Sequence, residues 1–302
     1  MRRMGSPATD STRIRLFAFL VWGTLAFTLL VILWGAFVRA TGSGAGCGNH
    51  WPLCNGEMVP RSAGSETLIE FTHRATSGVA FLMVLGIAFW AFRLFPRGNW
   101  VRRGAFASLA FMIAEALLGA GLVVFGLVGD NTSFTRAWVM AFHLANTFIL
   151  IGCLALTGWW ASFGPPARFG SVKRQWLFPM SMLAGLLIVG MSGAVAALGD
   201  TLFPSDSLAE ALEQDFSSHA HLLIRLRIYH PMIAVLAGLL VLWNSVQALQ
   251  RNQSWIRRLS LLTAGLYMAQ LGAGIINVLL LAPVWMQMVH LLLADLIWIS
   301  AV

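Results

Sequence analysis

Four of the seven histidines, His73, His143, His230 and His290, fall inside long apolar stretches of this 302-residue chain, where an ionisable ring is costly to keep. Each stands about five to eight residues past the start of its stretch, a depth of roughly 8–12 Å at 1.5 Å per helical residue. A lone histidine in such a place serves as readily for hydrogen-bonded packing as for ligation. Four at matching depth, one on every second stretch and two in each half, are harder to explain as packing. Neutral imidazole is a strong axial ligand for haem iron, and a pair on facing helices of a four-helix unit holds a porphyrin edge-on to the unit's axis. Zinc would instead need Cys or carboxylate ligands beside the pairs in both halves, and the sequence does not supply them.

The stretches that must position these rings follow from composition. The chain is 58% hydrophobic and 11% charged, whereas a soluble domain has roughly a quarter of its residues charged. It therefore buries apolar surface against lipid. Runs long enough to cross a hydrocarbon layer of about 30 Å as helices occur near 16–38, 68–92, 104–128, 137–163, 176–198, 222–249, 258–281 and 283–302. This predicts an all-α polytopic membrane protein with eight transmembrane helices. The first run is too long for a signal-peptide core and reads as a retained helix. The last stops at Val302, which leaves room for a few further residues of tail.

The net charge of +8 sorts by position. Arg2, Arg3, Arg13 and Arg15 precede the first span; Arg93, Arg97, Arg102 and Arg103 join the second and third; Arg168, Lys173 and Arg174 join the fourth and fifth; Arg251, Arg257 and Arg258 join the sixth and seventh. By the positive-inside rule these loops and both termini are cytoplasmic. The two longest loops, 39–67 and 199–221, lie on the opposite side. Charge spread over short loops is not the basic stripe of a nucleic-acid binder, so no nucleic-acid partner is predicted. Arg39, Arg74, Arg136, Arg225 and Arg227 break the pattern at outer helix ends, where the propionates of a haem in the histidine layer would emerge. Guanidinium pairs bidentately with carboxylate; snorkelling to lipid head groups is the competing use.

The halves of the chain echo each other. Leu118-Gly119-Ala120-Gly121 matches Leu271-Gly272-Ala273-Gly274, Gly35-Ala36 matches Gly193-Ala194, and Trp138 and Trp285 each precede a histidine by five residues. Two tandem, pseudo-symmetric four-helix bundles are therefore predicted, 1–163 and 176–302, joined by a cytoplasmic linker at 164–175. Small residues are what close helix contacts in lipid require.

Taken together, Arg39-Ala40-Thr41-Gly42-Ser43-Gly44, Cys47 with Trp51-Pro52-Leu53-Cys54, Glu70-Phe71-Thr72-His73-Arg74 and the histidines of the fourth, sixth and eighth spans resemble the haem A synthase family over essentially the whole chain. The resemblance implies an oxidoreductase of the cell membrane that converts the C8 methyl of haem O into a formyl group by successive hydroxylations, for the haem A of cytochrome c oxidase. It implies haem O as substrate, haem B as cofactor, an external electron donor, and haem O synthase as the source of substrate. By position, His73 and His143 flank the substrate, with Glu70 as the third catalytic residue. His230 and His290 ligate haem B, and Arg39, Arg74, Arg225 and Arg227 contact cofactor. Glu70 lies one turn from His73, whereas Arg227 holds the matching place before His230. Glu70 either moves protons and stabilises charge at the porphyrin edge, or simply complements the helix dipole. Pro231 stands where the pattern after His73 has Arg74, which leaves Arg225 or Arg227 as the second propionate partner.

Cys47 and Cys54, with six residues between them, face an oxidising side, where a disulfide forms readily; structural and redox or substrate-admitting roles stay open. Cys153 reads as packing, His50, His219 and His221 as solvated loop residues, and Glu115 and Asp295 as deep carboxylates of open role. Two other functions would use the same histidines. A dihaem electron carrier of the cytochrome b type would place its haems at different depths, and a non-enzymatic haem-binding or transport protein would not need Glu70 or the cysteine pair.

Overall fold

The computed structural model describes residues 7–61, 64–165, 174–217 and 219–302. Arg2, Arg3, Arg168 and Lys173, and the linker apart from its ends, lie outside the described residues. Among these residues the chain is all-α. The helices are α1 (Pro7–Ala40), α2 (Ser65–Leu94), α3 (Trp100–Val124), α4 (Phe134–Phe163), α5 (Arg174–Leu202), α6 (Leu208–Phe216), α7 (Leu222–Arg227), α8 (Tyr229–Leu249), α9 (Ser254–Leu279) and α10 (Val284–Ala301). Eight spans are long and apolar enough to cross a membrane, α7 and α8 together making the sixth. The protein is a multi-pass membrane protein.

Local chemistry sets the helix ends. Asn99 caps α3 by accepting the Val101 N–H at 2.8 Å, and Ser133 caps α4 by accepting the Arg136 N–H at 3.2 Å. The sixth span is not one helix as the sequence predicts. Pro231 has no N–H to give to the Arg227 carbonyl, and the helix breaks at Ile228, one turn before it. The sequence reading also passes over α6, whose signal is the Ser207-x-x-Glu210 pattern. Ser207 accepts the Glu210 N–H at 3.2 Å, and Glu210 accepts the Asp206 N–H at 2.9 Å.

In the first half, α1 packs on α2 and α4, α2 on α3, and α3 on α4; in the second, α5 packs on α7, α8 and α10, α8 on α9, and α9 on α10. Between the halves, α1 and α4 meet α5 and α10. There Phe148 stacks on Trp298 with ring centres 5.6 Å apart, and Gly190 and Gly152 make room for those two rings. A Cβ on Gly190 would stand 2.6 Å from Phe148, and one on Gly152 would stand 2.9 Å from Trp298. The periphery is apolar: Phe19, Leu30, Phe89, Leu236 and Ile275 are exposed, as surfaces facing lipid tails must be.

Candidate functional site

His73, His143 and His290 sit in the second or third turn of their helices and His230 in the first turn of α8, and each lies against a glycine of a neighbouring helix. His73 of α2 rests on Gly35 of α1, His143 of α4 on Gly119 of α3, His230 of α8 on Gly193 of α5, and His290 of α10 on Gly274 of α9. Gly35 and Gly193, which match in the repeat, thus both seat an imidazole, whereas in the Leu-Gly-Ala-Gly runs the seat is the first glycine, Gly119, in one half and the second, Gly274, in the other. All four rings are half-buried. The Nδ1 atoms of His73, His143 and His290 are buried without a hydrogen-bond partner, whereas His230 Nδ1 is 2.9 Å from the Ser192 hydroxyl.

The rings come in twos. The His230 and His290 ring centres are 6.4 Å apart, with the planes crossed at 81°, and His73 and His143 are within electrostatic reach of each other. A metal–imidazole bond of about 2.0–2.1 Å, with roughly 1.1–1.2 Å from ring centre to nitrogen, would set two imidazoles on opposite sides of one metal ion about 6.2–6.6 Å apart. The separation of His230 and His290 fits that, and their donor set fits haem. No group of three or more His, Cys, Asp and Glu side chains forms a cation site among the described residues.

Glu70, 3% exposed, is the link between the first pair and the outer loop. Its Oε2 accepts the Cys47 N–H at 2.8 Å, and its Oε1 accepts Arg74 Nε and Nη2 at 3.1 and 2.5 Å. Arg74 Nη1 then donates to the carbonyls of His50 and Leu53, at 2.5 and 2.7 Å. Cys47 and Cys54 form a disulfide, which closes the same loop. Gly46 lets this loop lie on α2, since a Cβ there would meet the Glu66 backbone at 2.6 Å.

Glu115 of α3, whose role the sequence leaves open, belongs to the site. It accepts Asn146 Nδ2 on Oε2 at 2.6 Å and the Thr147 hydroxyl on Oε1 at 2.5 Å, and Oε1 is 3.5 Å from His143 Nδ1. The sequence shows His143, Asn146 and Thr147 at i, i+3 and i+4 on one face of an apolar span, a polar stripe that asks for a partner without pointing to Glu115. Asp295 is fully buried, with neither oxygen hydrogen-bonded among the described residues.

The outer arginines divide by their partners. Arg39 reaches across to the second half, donating to the Ala197 carbonyl (2.7 Å), the Thr201 hydroxyl (2.6 Å) and Gln287 Oε1 (2.7 Å). Arg227 is clamped between Asp215 and Asp200, and Arg136 holds the carbonyls of Gly129 and Asn131. Arg225 is exposed and makes no side-chain hydrogen bond or ion pair among the described residues.

A protein of Thermus thermophilus named protohaem IX farnesyltransferase is 55% identical over 279 residues, which are 92% of this chain and 46% of that protein. A haem A synthase of Alkalihalophilus pseudofirmus is 45% identical over 98 residues, 32% of this chain and 33% of the relative. One of Lysinibacillus sphaericus is 36% identical over 141 residues, 46% and 43% of the two chains. The chain spans less than half the length of each of these relatives. The family model for the cytochrome oxidase assembly protein, COX15-CtaA, matches residues 18–302. The chain belongs to this family.

Proposed function

We propose that the chain is a haem A synthase, an oxidoreductase that turns the C8 methyl of haem O into a formyl group. Two successive hydroxylations at that carbon, each taking one dioxygen as oxidant with two electrons from an external donor and two protons and releasing one water, give a gem-diol, which loses water to the aldehyde. The observation that carries the reading is the unequal company of two similar imidazole pairs. Glu70 stands one turn from His73, and Glu115 stands 3.5 Å from His143, while Ser192 is the hydrogen-bond partner on His230. Substrate chemistry belongs where the carboxylates are.

In this reading the unit 1–163 takes haem O between His73 and His143, and the unit 176–302 holds haem B between His230 and His290. Haem B, when bound there, supplies one-electron transfer. Glu70, held by Cys47 and Arg74, moves a proton at the porphyrin edge. Arg39, Arg74, Arg225 and Arg227 bring positive charge to the propionate layer, Arg225 with its donors free. The protein lies in the plasma membrane with both termini cytoplasmic. The name of the Thermus relative denotes farnesyl transfer to protohaem IX, which supports a haem O synthase as the neighbouring supplier of substrate.

The test is co-expression with a haem O synthase, followed by extraction and chromatography of the haems. Haem A in wild type, lost in His73→Ala and His143→Ala, supports the reading. Haem B or haem O alone in the wild-type extract overturns it in favour of an electron carrier or a haem-binding protein.

A further inference from the structure

Glu115 is held so firmly that one of its oxygens has a defined remaining direction. Asn146 Nδ2 also donates to the Phe111 carbonyl at 3.0 Å, and the Thr147 hydroxyl also contacts the His143 carbonyl at 2.9 Å, so the two donors to the carboxylate are themselves fixed to α3 and α4. Oε1 faces His143 Nδ1 at 3.5 Å, and that Nδ1 is buried with no other acceptor. The gap is longer than a hydrogen bond, and a small rotation of the ring closes it. Contacts of this kind commonly tighten when a site is filled.

We infer that Glu115 is a positioning residue for His143: its Oε1 accepts the Nδ1–H, orients the ring, and makes Nε2 the stronger donor to the iron of the haem held by the first pair. This rests on the reading of His73 and His143 as a haem pair. A carboxylate acceptor gives an imidazole anionic character, raises its basicity and lowers the reduction potential of the iron it ligates. The second half has no such device. Met268, Leu293 and Ala294 stand where the repeat places Glu115, Asn146 and Thr147, and His230 has only a neutral hydroxyl at Nδ1. The two pairs are therefore tuned differently, the first toward an electron-rich iron.

The experiment uses the full chain purified with its haems after co-expression with a haem O synthase, read by spectroelectrochemical titration and low-spin electron paramagnetic resonance. In Glu115→Gln the midpoint potential of one haem moves up and its resonance shifts, while the other haem is unchanged; release of the affected haem accelerates on the order of 10–100-fold. Thr147→Val moves the same midpoint down, because Oε1 loses a competing donor and pulls harder on His143. That reversal of sign is one a merely structural role does not produce, and it keeps the test open if Glu115→Gln fails to fold. Unchanged potentials and resonances in both variants, with both haems bound, overturn the inference. His143→Ala separates the two levels of argument: loss of one haem keeps the pair as a haem site, whereas retention of both overturns that reading and this inference with it.

Discussion

Gly35 lies directly against the His73 imidazole: a Cβ on it would stand 2.7 Å from Cε1 and 3.0 Å from Nε2. Gly35→Ala is therefore expected to push His73 out of its seat. Overpacking costs about 1–3 kcal/mol, which outweighs the gain of roughly 1 kcal/mol from replacing a helical glycine by alanine. Haem at the first pair is lost and haem at the second retained, as read by haem-to-protein stoichiometry. Gly86→Ala, on the same α2 as His73 but with nothing within 4 Å of the new methyl, is the control and leaves both haems in place.

Gly193→Ala tests the same principle in the second half. Its Cβ would meet His230 Cε1 at 3.0 Å, and it neighbours Ser192, the partner of His230 Nδ1. The expected loss is of haem B, with the substrate pair intact. Equal loss at both pairs would show instead that the glycines set overall packing and not individual seats.

Two substitutions separate the structural contacts of Glu70 from the chemical role proposed for it. Glu70→Ala leaves Arg74 and the Cys47 N–H without their acceptor, and breaking a buried ion pair costs about 3–5 kcal/mol. Glu70→Gln keeps one acceptor oxygen, for either Arg74 or the Cys47 N–H, and turns its NH2 to the other donor, so it weakens the anchor less than Glu70→Ala does. Both variants are expected to retain haem B and form no haem A, while Glu70→Ala opens the 46–61 loop to proteolysis more than Glu70→Gln does. Wild-type haem A in Glu70→Gln would remove the carboxylate from the chemistry and leave it as the anchor of the loop.

The disulfide loop is anchored twice, by Cys47–Cys54 and by Arg74 on the His50 and Leu53 carbonyls. Closing a loop of this length contributes about 2–3 kcal/mol in the chain-entropy account. Cys47→Ser with Cys54→Ser is expected to lower the thermal midpoint modestly, and adding Arg74→Gln to lower it by more than the two changes apart, because the sites share one segment. Strictly additive midpoints would mean that the two anchors act independently.

Arg39 ties α1 to α5 and α10 through three forked hydrogen bonds, a geometry that lysine does not reproduce. Arg39→Lys is expected to lower the thermal midpoint in detergent and weaken haem retention at the second pair, although Arg39 belongs to the first half of the chain. Loss confined to the first pair would contradict this.

The parts of the molecule that the sequence made legible are those governed by periodicity and solvent. Eight spans and the cysteine pair follow from where apolar runs and rare polar residues fall, because lipid leaves few alternatives to helix. Contacts between distant helices were not legible. Nothing in the string ties Glu115 to His143 28 residues later, or Arg39 to Gln287, since those meetings depend on which helices become neighbours and how they are rotated. The break at Ile228 lay between: Pro231 was visible, but a proline in a membrane helix either kinks it or is absorbed, and the neighbours decide.

The apolar periphery, with Phe19, Leu30, Phe89, Leu236 and Ile275 turned outward, means that the folded state is never the bare polypeptide. Its free energy of unfolding belongs jointly to the protein and the amphiphile that coats it, because anything that binds the native form shifts the equilibrium by mass action. A thermal midpoint for any variant is thus defined only at one detergent or lipid composition, and a ranking of variants transfers to another composition only where the substitution lies away from that coat.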